Sequence, residues 1–294
     1  MKQLLFSGVC TALVTPFLNG QINYPMAEQL LRRQIDAGIP AVVLAGTTGE
    51  ASTLSDAEKV QLFRRCKAFA GNRCTIIAGT GSNNTAHAVA LSRDAEEAGA
   101  DALLVVSPYY NKATPDGLIA HYIAIAHSVS IPVILYNVPS RTGVDIPVSV
   151  YRRLSNIHNI IGVKEAATDI TKITRIRAAC PSDFYVWGGN DEQTVPVISL
   201  GGQGIISVIS NVDPIRTAAM ANAAIAGDFD TAAQLQLDLQ QMIDFLFSEV
   251  NPIPVKEAMR IIGYDCGNCR LPLCNMDAEK MRLMADYLKN YSNV

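Results

Sequence analysis

Apolar runs that end in Gly, Ser, Thr, Pro or Tyr recur along this chain with amphipathic stretches between them, and this alternation constrains the fold more than any other feature. The runs are Gly8 to Val14, Ala41 to Ala45, Cys74 to Ala78, Ala102 to Val106, Pro132 to Tyr136, Ile160 to Lys164, Phe184 to Trp187 and Gly204 to Val208. Most are continuously apolar, the pattern of parallel strands covered on both faces. The stretches between them carry helical spacing. Ala27, Leu31 and Ile35 form one apolar face with Arg32, Arg33 and Asp36 outward and Gly38 as a stop; Val60, Phe63 and Ala70 form another, with Lys59, Arg64, Arg65 and Lys67 expected on the wet side. Eight strand–helix units predict an α/β protein, a closed (β/α)8 TIM barrel in preference to an open doubly wound sheet. The eighth helix is expected to end near Ala226-Gly227-Asp228. Beyond it the pattern is helical only, around Thr231 to Leu246, Val255 to Ile262 and Asp277 to Leu288. The expected organisation is a catalytic barrel over residues 1–226 and a C-terminal helical appendage over 227–294 packed on it.

Composition narrows the partners. With 49% hydrophobic, 17% charged and 6% aromatic residues in 294, the chain is neither disordered nor fibrous nor a disulfide-stapled miniprotein. Lys plus Arg is 24 and Asp plus Glu is 27, a net charge of -3, with no long run of like charge, so nucleic acid and anionic membranes are poor partner candidates. No apolar run approaches the roughly 18 residues of a membrane span. The stretch Leu4 to Phe6 breaks at Ser7-Gly8, too early for a signal peptide, and a cytoplasmic location is expected. Seven cysteines, an odd number in mostly apolar surroundings, fit free thiols in a reducing compartment. Cys266-Gly267-Asn268-Cys269 with Cys274 resembles half of a metal site, but no second pair or nearby histidine completes it, and His87, His121, His127 and His158 fall on separate segments. No metal is expected.

In a (β/α)8 barrel the chemistry lies at the C-terminal ends of the strands. Strand 2 ends in Gly46-Thr47-Thr48-Gly49-Glu50, strand 4 in Ser107-Pro108-Tyr109-Tyr110-Asn111, strand 5 in Tyr136 through Gly143, and strand 6 in Lys164-Glu165-Ala166. Lys164 is the sharpest candidate, because an ammonium in a packed apolar barrel must be neutral or paired, and a lysine so placed becomes a nucleophile. Alternation puts Gly162 on its face, where it is expected to leave room, and Glu165 on the opposite one. Tyr136 and Tyr110 can exchange protons, Thr47 and Thr48 offer hydroxyl and backbone donors, and Arg141 can grip a carboxylate. Gly46 and Gly49 are expected to permit a tight turn whose N–H groups face an anion. Lys256, after Pro252 and Pro254 at a helix start, is a rival nucleophile on paper, and that segment reads as positioning the appendage.

GTTGEASTL at 46–54, PYYN at 108–111, LYNVPSRTG at 135–143, GVKEA at 162–166 and NPIPVK at 251–256 together resemble the dihydrodipicolinate synthase family, also called 4-hydroxy-tetrahydrodipicolinate synthases, over essentially the whole chain. The wider superfamily of pyruvate-dependent Schiff-base aldolases, N-acetylneuraminate lyase included, shares the Gly-rich turn, the tyrosine and the lysine. The combination of Thr47-Thr48, Tyr109-Tyr110 and Arg141 points to the synthases. The resemblance implies that Lys164 forms an imine with pyruvate, and that Tyr136 shuttles protons in a relay with Thr48 and with Tyr110 supplied across a dimer interface. It further implies that Thr47 and Thr48 hold the pyruvate carboxylate, that Arg141 binds the carboxylate of L-aspartate 4-semialdehyde, and that Gly189 and the backbone near Ile206 line the pocket. It implies no cofactor, and a homotetramer built as a dimer of dimers. The competing readings are another pyruvate aldolase and a noncatalytic barrel that senses an oxoacid.

Lysine-inhibited members of the family bind lysine in a cleft near the turn after strand 2 and the helix after strand 3. The corresponding positions here are Ala51, Asp56, Lys59 and His87, with Asn83 and Tyr109 retained. An added cation at Lys59 and no carboxylate at His87 imply weak or absent inhibition by lysine.

Overall fold

A strand buried on both faces needs apolar side chains on both, and the eight runs supply them. In the computed structural model, which describes residues 1–291, all eight form strands. They are β1 (Gly8–Ala12), β2 (Ala41–Leu44), β3 (Thr75–Gly79), β4 (Ala102–Val106), β5 (Val133–Asn137), β6 (Ile160–Glu165), β7 (Tyr185–Gly188) and β8 (Gly204–Ser207). They lie parallel in chain order, and β1 pairs with both β2 and β8, which closes the barrel. Cys10, Val43, Ile77, Leu104, Ile134, Tyr136, Trp187 and Ile206 share the inner core. Phe6, just before β1, stacks on Trp187 at 4.9 Å between ring centroids and closes the N-terminal end. The alternate strand residues, among them Val42, Leu44, Ile76, Leu103, Val105, Leu135 and Val163, pack outward against the helices.

Those helices are α1 (Tyr24–Asp36), α2 (Asp56–Ala70), α3 (Thr85–Glu97), α4 (Pro115–Ala126), α5 (Val148–Leu154), α6 (Thr171–Ala179), α7 (Thr194–Ser199) and α8 (Pro214–Ile225). Their starts are written locally. Ser55 and Glu58 form a reciprocal capping box on α2, and Asn84, Thr114 and Asp213 cap α3, α4 and α8, each worth about 1 kcal/mol. The appendage consists of α9 (Phe229–Leu246), α10 (Ile253–Ile261) and α11 (Ala278–Asn290). The last three residues of the expected 227–294 region, 292–294, lie outside the described residues. No helix among the described residues is long and apolar enough to cross a membrane.

Two local expectations change, and one feature is added. Lys59 is only 8% exposed, because α2 turns it toward the end of the barrel instead of toward water. Arg33 does not simply face solvent: its guanidinium donates to the carbonyls of Asn211 and Val212 and ties α1 to the turn after β8. Two short antiparallel strands, Phe17–Leu18 and Gln21–Ile22, form a hairpin too brief to show any period in sequence.

Candidate active site

Lys164 ends up where its strand predicts, and the ladder supplies its neighbours. The β5–β6 register sets Tyr136 beside Lys164, and the β6–β7 register sets Trp187 on its other side. Lys164 is 5% exposed, and its ammonium lies 4.5 Å from the centre of the Tyr136 ring. It makes no hydrogen bond or ion pair among the described residues. Glu165 faces away, as alternation requires, and accepts from Asn137 Nδ2 at 2.7 Å, the Tyr151 hydroxyl at 3.0 Å and the Ala167 N–H at 2.9 Å. Burial raises the Glu165 pKa, and Lys172, 3.7 Å away, opposes that shift. The expected gap at Gly162 is filled: a Cβ there would stand 2.2 Å from the Tyr185 carbonyl oxygen and 2.9 Å from the Trp187 ring. Room beside Lys164 comes instead from Gly189, where a Cβ would lie 3.1 Å from Lys164 Cε and 2.5 Å from Ala166 Cβ.

The Thr47-Thr48 turn is tight for a different reason from the one expected. Ala45 and Glu50 occupy the left-handed region, at φ 49 and 55, while Gly46 and Gly49 do not. Such conformations persist only where the surroundings fix them. Here Thr15 donates to the Gly49 carbonyl at 2.7 Å, and the Glu50 carboxylate accepts from Lys256 Nζ at 2.8 Å and from the Arg270 backbone N–H at 2.8 Å. The turn leaves the N–H groups of Thr47 and Thr48 without an acceptor among the described residues, a ready seat for a carboxylate. The buried Thr48 hydroxyl accepts from Asn251 Nδ2 at 3.0 Å, and the Asn251 carbonyl accepts from Arg141 at 3.1 Å. Asn251 was not among the candidate site residues; its place in the NPIPVK segment, just before a helix of the appendage, was its only signal.

Lys256 is the rival that the structure resolves. It is 3% exposed and donates to Glu50, to the Thr15 carbonyl at 3.1 Å and to the Asn268 carbonyl at 3.2 Å, with the Phe17 ring beneath it. All three of its donor hydrogens have acceptors, so it joins the appendage to the strand-2 turn.

A cavity of about 620 Å³ opens above these groups. Thr47, Tyr136, Arg141 and Asn251 face one part of it, and Ala51, Asp56, Lys59, His87 and Tyr109 another, so the catalytic candidates and the expected cleft share one space. Lys164, Thr48, Gly189 and Ile206 are not part of this lining; Lys164, Thr48 and Ile206 are buried, Ile206 in the same inner core as Tyr136, and Gly189 is half-buried. In the cleft His87 Nε2 meets Asp56 Oδ2 at 2.8 Å and Lys59 stands 3.7 Å from Asp56 Oδ1. Burial lowers the Lys59 pKa. Asn83 does not line the cavity but donates to the Tyr109 carbonyl at 3.2 Å. Tyr110 is the residue this chain does not bring to its own pocket. It sits at φ 71 with 90% of its surface exposed.

Among the described residues no three His, Cys, Asp or Glu side chains group so as to hold a metal. Burial pushes the Cys266 and Cys269 thiols up to about 12, which leaves them protonated and unreactive at neutral pH.

Comparison with known proteins decides the family. The model of the dihydrodipicolinate synthetase family matches residues 5–291. The chain belongs to that family. The 4-hydroxy-tetrahydrodipicolinate synthase of Acetivibrio thermocellus is 43% identical over 291 residues, covering 99% of each chain. The enzyme of the same name from Thermoanaerobacter pseudethanolicus is 43% identical over 98% of this chain and 97% of its own. Among solved structures, the dihydrodipicolinate synthase of Aquifex aeolicus superposes with a TM-score of 0.96 at 39% identity, over 97% of this chain and 98% of that one. The chloride-inhibited synthase of Acinetobacter baumannii, solved with pyruvate, gives 0.96 at 39% over 98% and 100%.

Proposed function

We propose that this chain is a lyase that condenses pyruvate with L-aspartate 4-semialdehyde to give 4-hydroxy-tetrahydrodipicolinate, the committing step toward diaminopimelate and lysine. The observation that carries the reading is a buried lysine with no hydrogen-bond or ion-pair partner among the described residues, set beside a tyrosine that shares one cavity with a turn whose N–H groups are free among those residues. The pyruvate carboxylate binds the Thr47-Thr48 turn. The Lys164 amine attacks C2, water leaves, and the imine draws electrons so that Tyr136 can take up a methyl proton. The enamine attacks the aldehyde carbon of the second substrate, whose carboxylate is held by Arg141. Attack by that substrate's own amine on C2 then releases Lys164.

Thr48 joins Tyr136 and Tyr110 in the proton relay. The outward projection of Tyr110 supports its supply to a neighbouring subunit; a homotetramer built as a dimer of dimers, in the cytoplasm, is what the family resemblance implies. Incubation with both substrates tests the reading: it predicts joint consumption of pyruvate and the semialdehyde. Consumption of pyruvate with a different aldehyde alone would move the assignment to another Schiff-base aldolase.

The cleft supports weak inhibition by lysine. Both oxygens of Asp56 already face cations or donors, and the Lys59 ammonium repels a second one. Titration with lysine is expected to leave activity above half at submillimolar concentrations; half-inhibition there would contradict it.

A further inference from the structure

The Thr47-Thr48 turn follows β2, but much of what holds its shape comes from the other end of the chain. The turn closes through the Glu50 N–H, which donates to the Thr47 carbonyl at 3.1 Å, and the Ala51 N–H, which donates to the Gly46 carbonyl at 3.2 Å. Holds from distant residues complete it. Glu50 Oε1 accepts from Lys256 Nζ, on α10, and Glu50 Oε2 from the Arg270 N–H, each at 2.8 Å. Lys256 also donates to the Thr15 carbonyl at 3.1 Å, and the Thr15 hydroxyl donates to the Gly49 carbonyl at 2.7 Å, so one ammonium is linked to both Gly49 and Glu50. The Arg270 guanidinium donates to the Thr53 carbonyl at 2.9 Å and pins the single turn Ala51–Thr53 that comes next.

Two features set the Glu50–Lys256 pair apart from a tie that serves stability alone. Glu50 stands at φ 55, where glycine is unstrained and glutamate is not, so the backbone bears strain that only the side chain's contacts offset. A buried ion pair is also often no more stabilising than well-packed apolar side chains of the same volume. Neither group is free to move a proton, since both Glu50 oxygens have donors and all three Lys256 hydrogens have acceptors. Glu50 lines the cavity two residues from Thr48, and its pairing with Lys256 cancels a charge that would repel an incoming carboxylate.

We infer that Glu50 is a positioning residue for the oxoacid: clamped by Lys256 and the Arg270 N–H, it holds the Thr47 and Thr48 N–H groups in the arrangement that takes the pyruvate carboxylate, so an ion pair between barrel and appendage sets the affinity for pyruvate. This rests on the proposed seating of that carboxylate at the turn. Arg141, which receives the second substrate's carboxylate, bonds to the Asn251 carbonyl and takes no part in the clamp, so the effect is confined to pyruvate.

The test is the double variant Lys256→Met, Glu50→Gln in the full-length protein, which removes the clamp and leaves the net charge of the pair at zero. Half-saturating pyruvate is read from borohydride-trapped label on Lys164, with steady-state kcat, KM for both substrates and Tm alongside. Loss of the clamp is expected to raise half-saturating pyruvate about tenfold, with kcat and the KM for the semialdehyde within about threefold of the parent and Tm close to the parent's. Thr15→Val, which deletes the hydroxyl that holds the Gly49 carbonyl and keeps the side chain's volume, is expected to raise half-saturating pyruvate about threefold, and it carries the test should the double variant not fold. Parent-like saturation by pyruvate in a folded variant overturns the inference and leaves the pair a structural tie. An equal loss of affinity for both substrates overturns it too, because that reports a general loosening of the site. Absence of label on Lys164 in the parent protein overturns the imine reading instead.

Discussion

Lys164 and Lys256 are both almost fully buried, at 5% and 3% exposure, and both stand over an aromatic ring, yet their surroundings are opposite. Lys256 spends each of its three donor hydrogens, one on the Glu50 carboxylate and two on carbonyls. Lys164 has no hydrogen bond or ion pair among the described residues, and an aromatic face is its company. Burial alone does not make a lysine reactive. Burial without a fixed acceptor leaves the Lys164 nitrogen free to meet a bound carbonyl carbon, whereas every N–H of Lys256 is already held.

The largest effect that could break this contrast is on chemistry. Lys164→Met is expected to abolish condensation, by roughly a thousandfold or more, while Tm stays level or rises, since an unpaired buried charge is replaced by an apolar chain of similar length. A marked loss of stability in that variant would mean that Lys164 has a structural partner after all. Lys256→Met should do the reverse. It leaves Glu50 charged and buried, so denaturant unfolding is expected to show a loss of about 3–5 kcal/mol, and the double variant Lys256→Met, Glu50→Gln should recover much of it. Pyruvate labelling of Lys164 should survive in the folded fraction.

The smallest effect concerns a third buried base. His121 touches Thr85 through Nδ1 at 2.9 Å, but its Nε2 has no hydrogen-bond partner among the described residues, and burial lowers its pKa to about 4 from 6.5. The folded protein keeps it neutral where the unfolded chain would protonate, so stability falls as pH drops from 6.5 toward 4, by up to about 2–3 kcal/mol. His121→Leu should flatten the dependence of Tm on pH in that window, and an unchanged slope would show that the ring is not the group responsible.

The barrel was legible because its strands are written twice, once for the core and once for the helices. All eight strands lie within two residues of their apolar runs at each end, and Lys164 was visible as a charge closing a run that should contain none. Contacts made across the chain were not legible. Asn251 reaches Thr48 over 203 positions and Lys256 reaches Glu50 over 206, and no local pattern encodes either meeting. The burial of Lys59 was missed because helical spacing distinguishes inward from outward but not which end of a barrel a side chain overhangs. Gly162 was misread for a related reason: its missing side chain makes room for a neighbouring backbone and ring, while the lysine finds its own space beside Gly189 on the next strand.

The contrast between the two lysines comes to one measurement. The full-length protein is treated with pyruvate and borohydride, digested, and the reduced adduct is located by peptide mass spectrometry, with and without L-aspartate 4-semialdehyde. A stoichiometric adduct on Lys164, none on Lys256, and a decrease when the semialdehyde is turned over is the predicted result. Label on Lys256, or label spread over exposed lysines with Lys164 unmodified, would contradict the account.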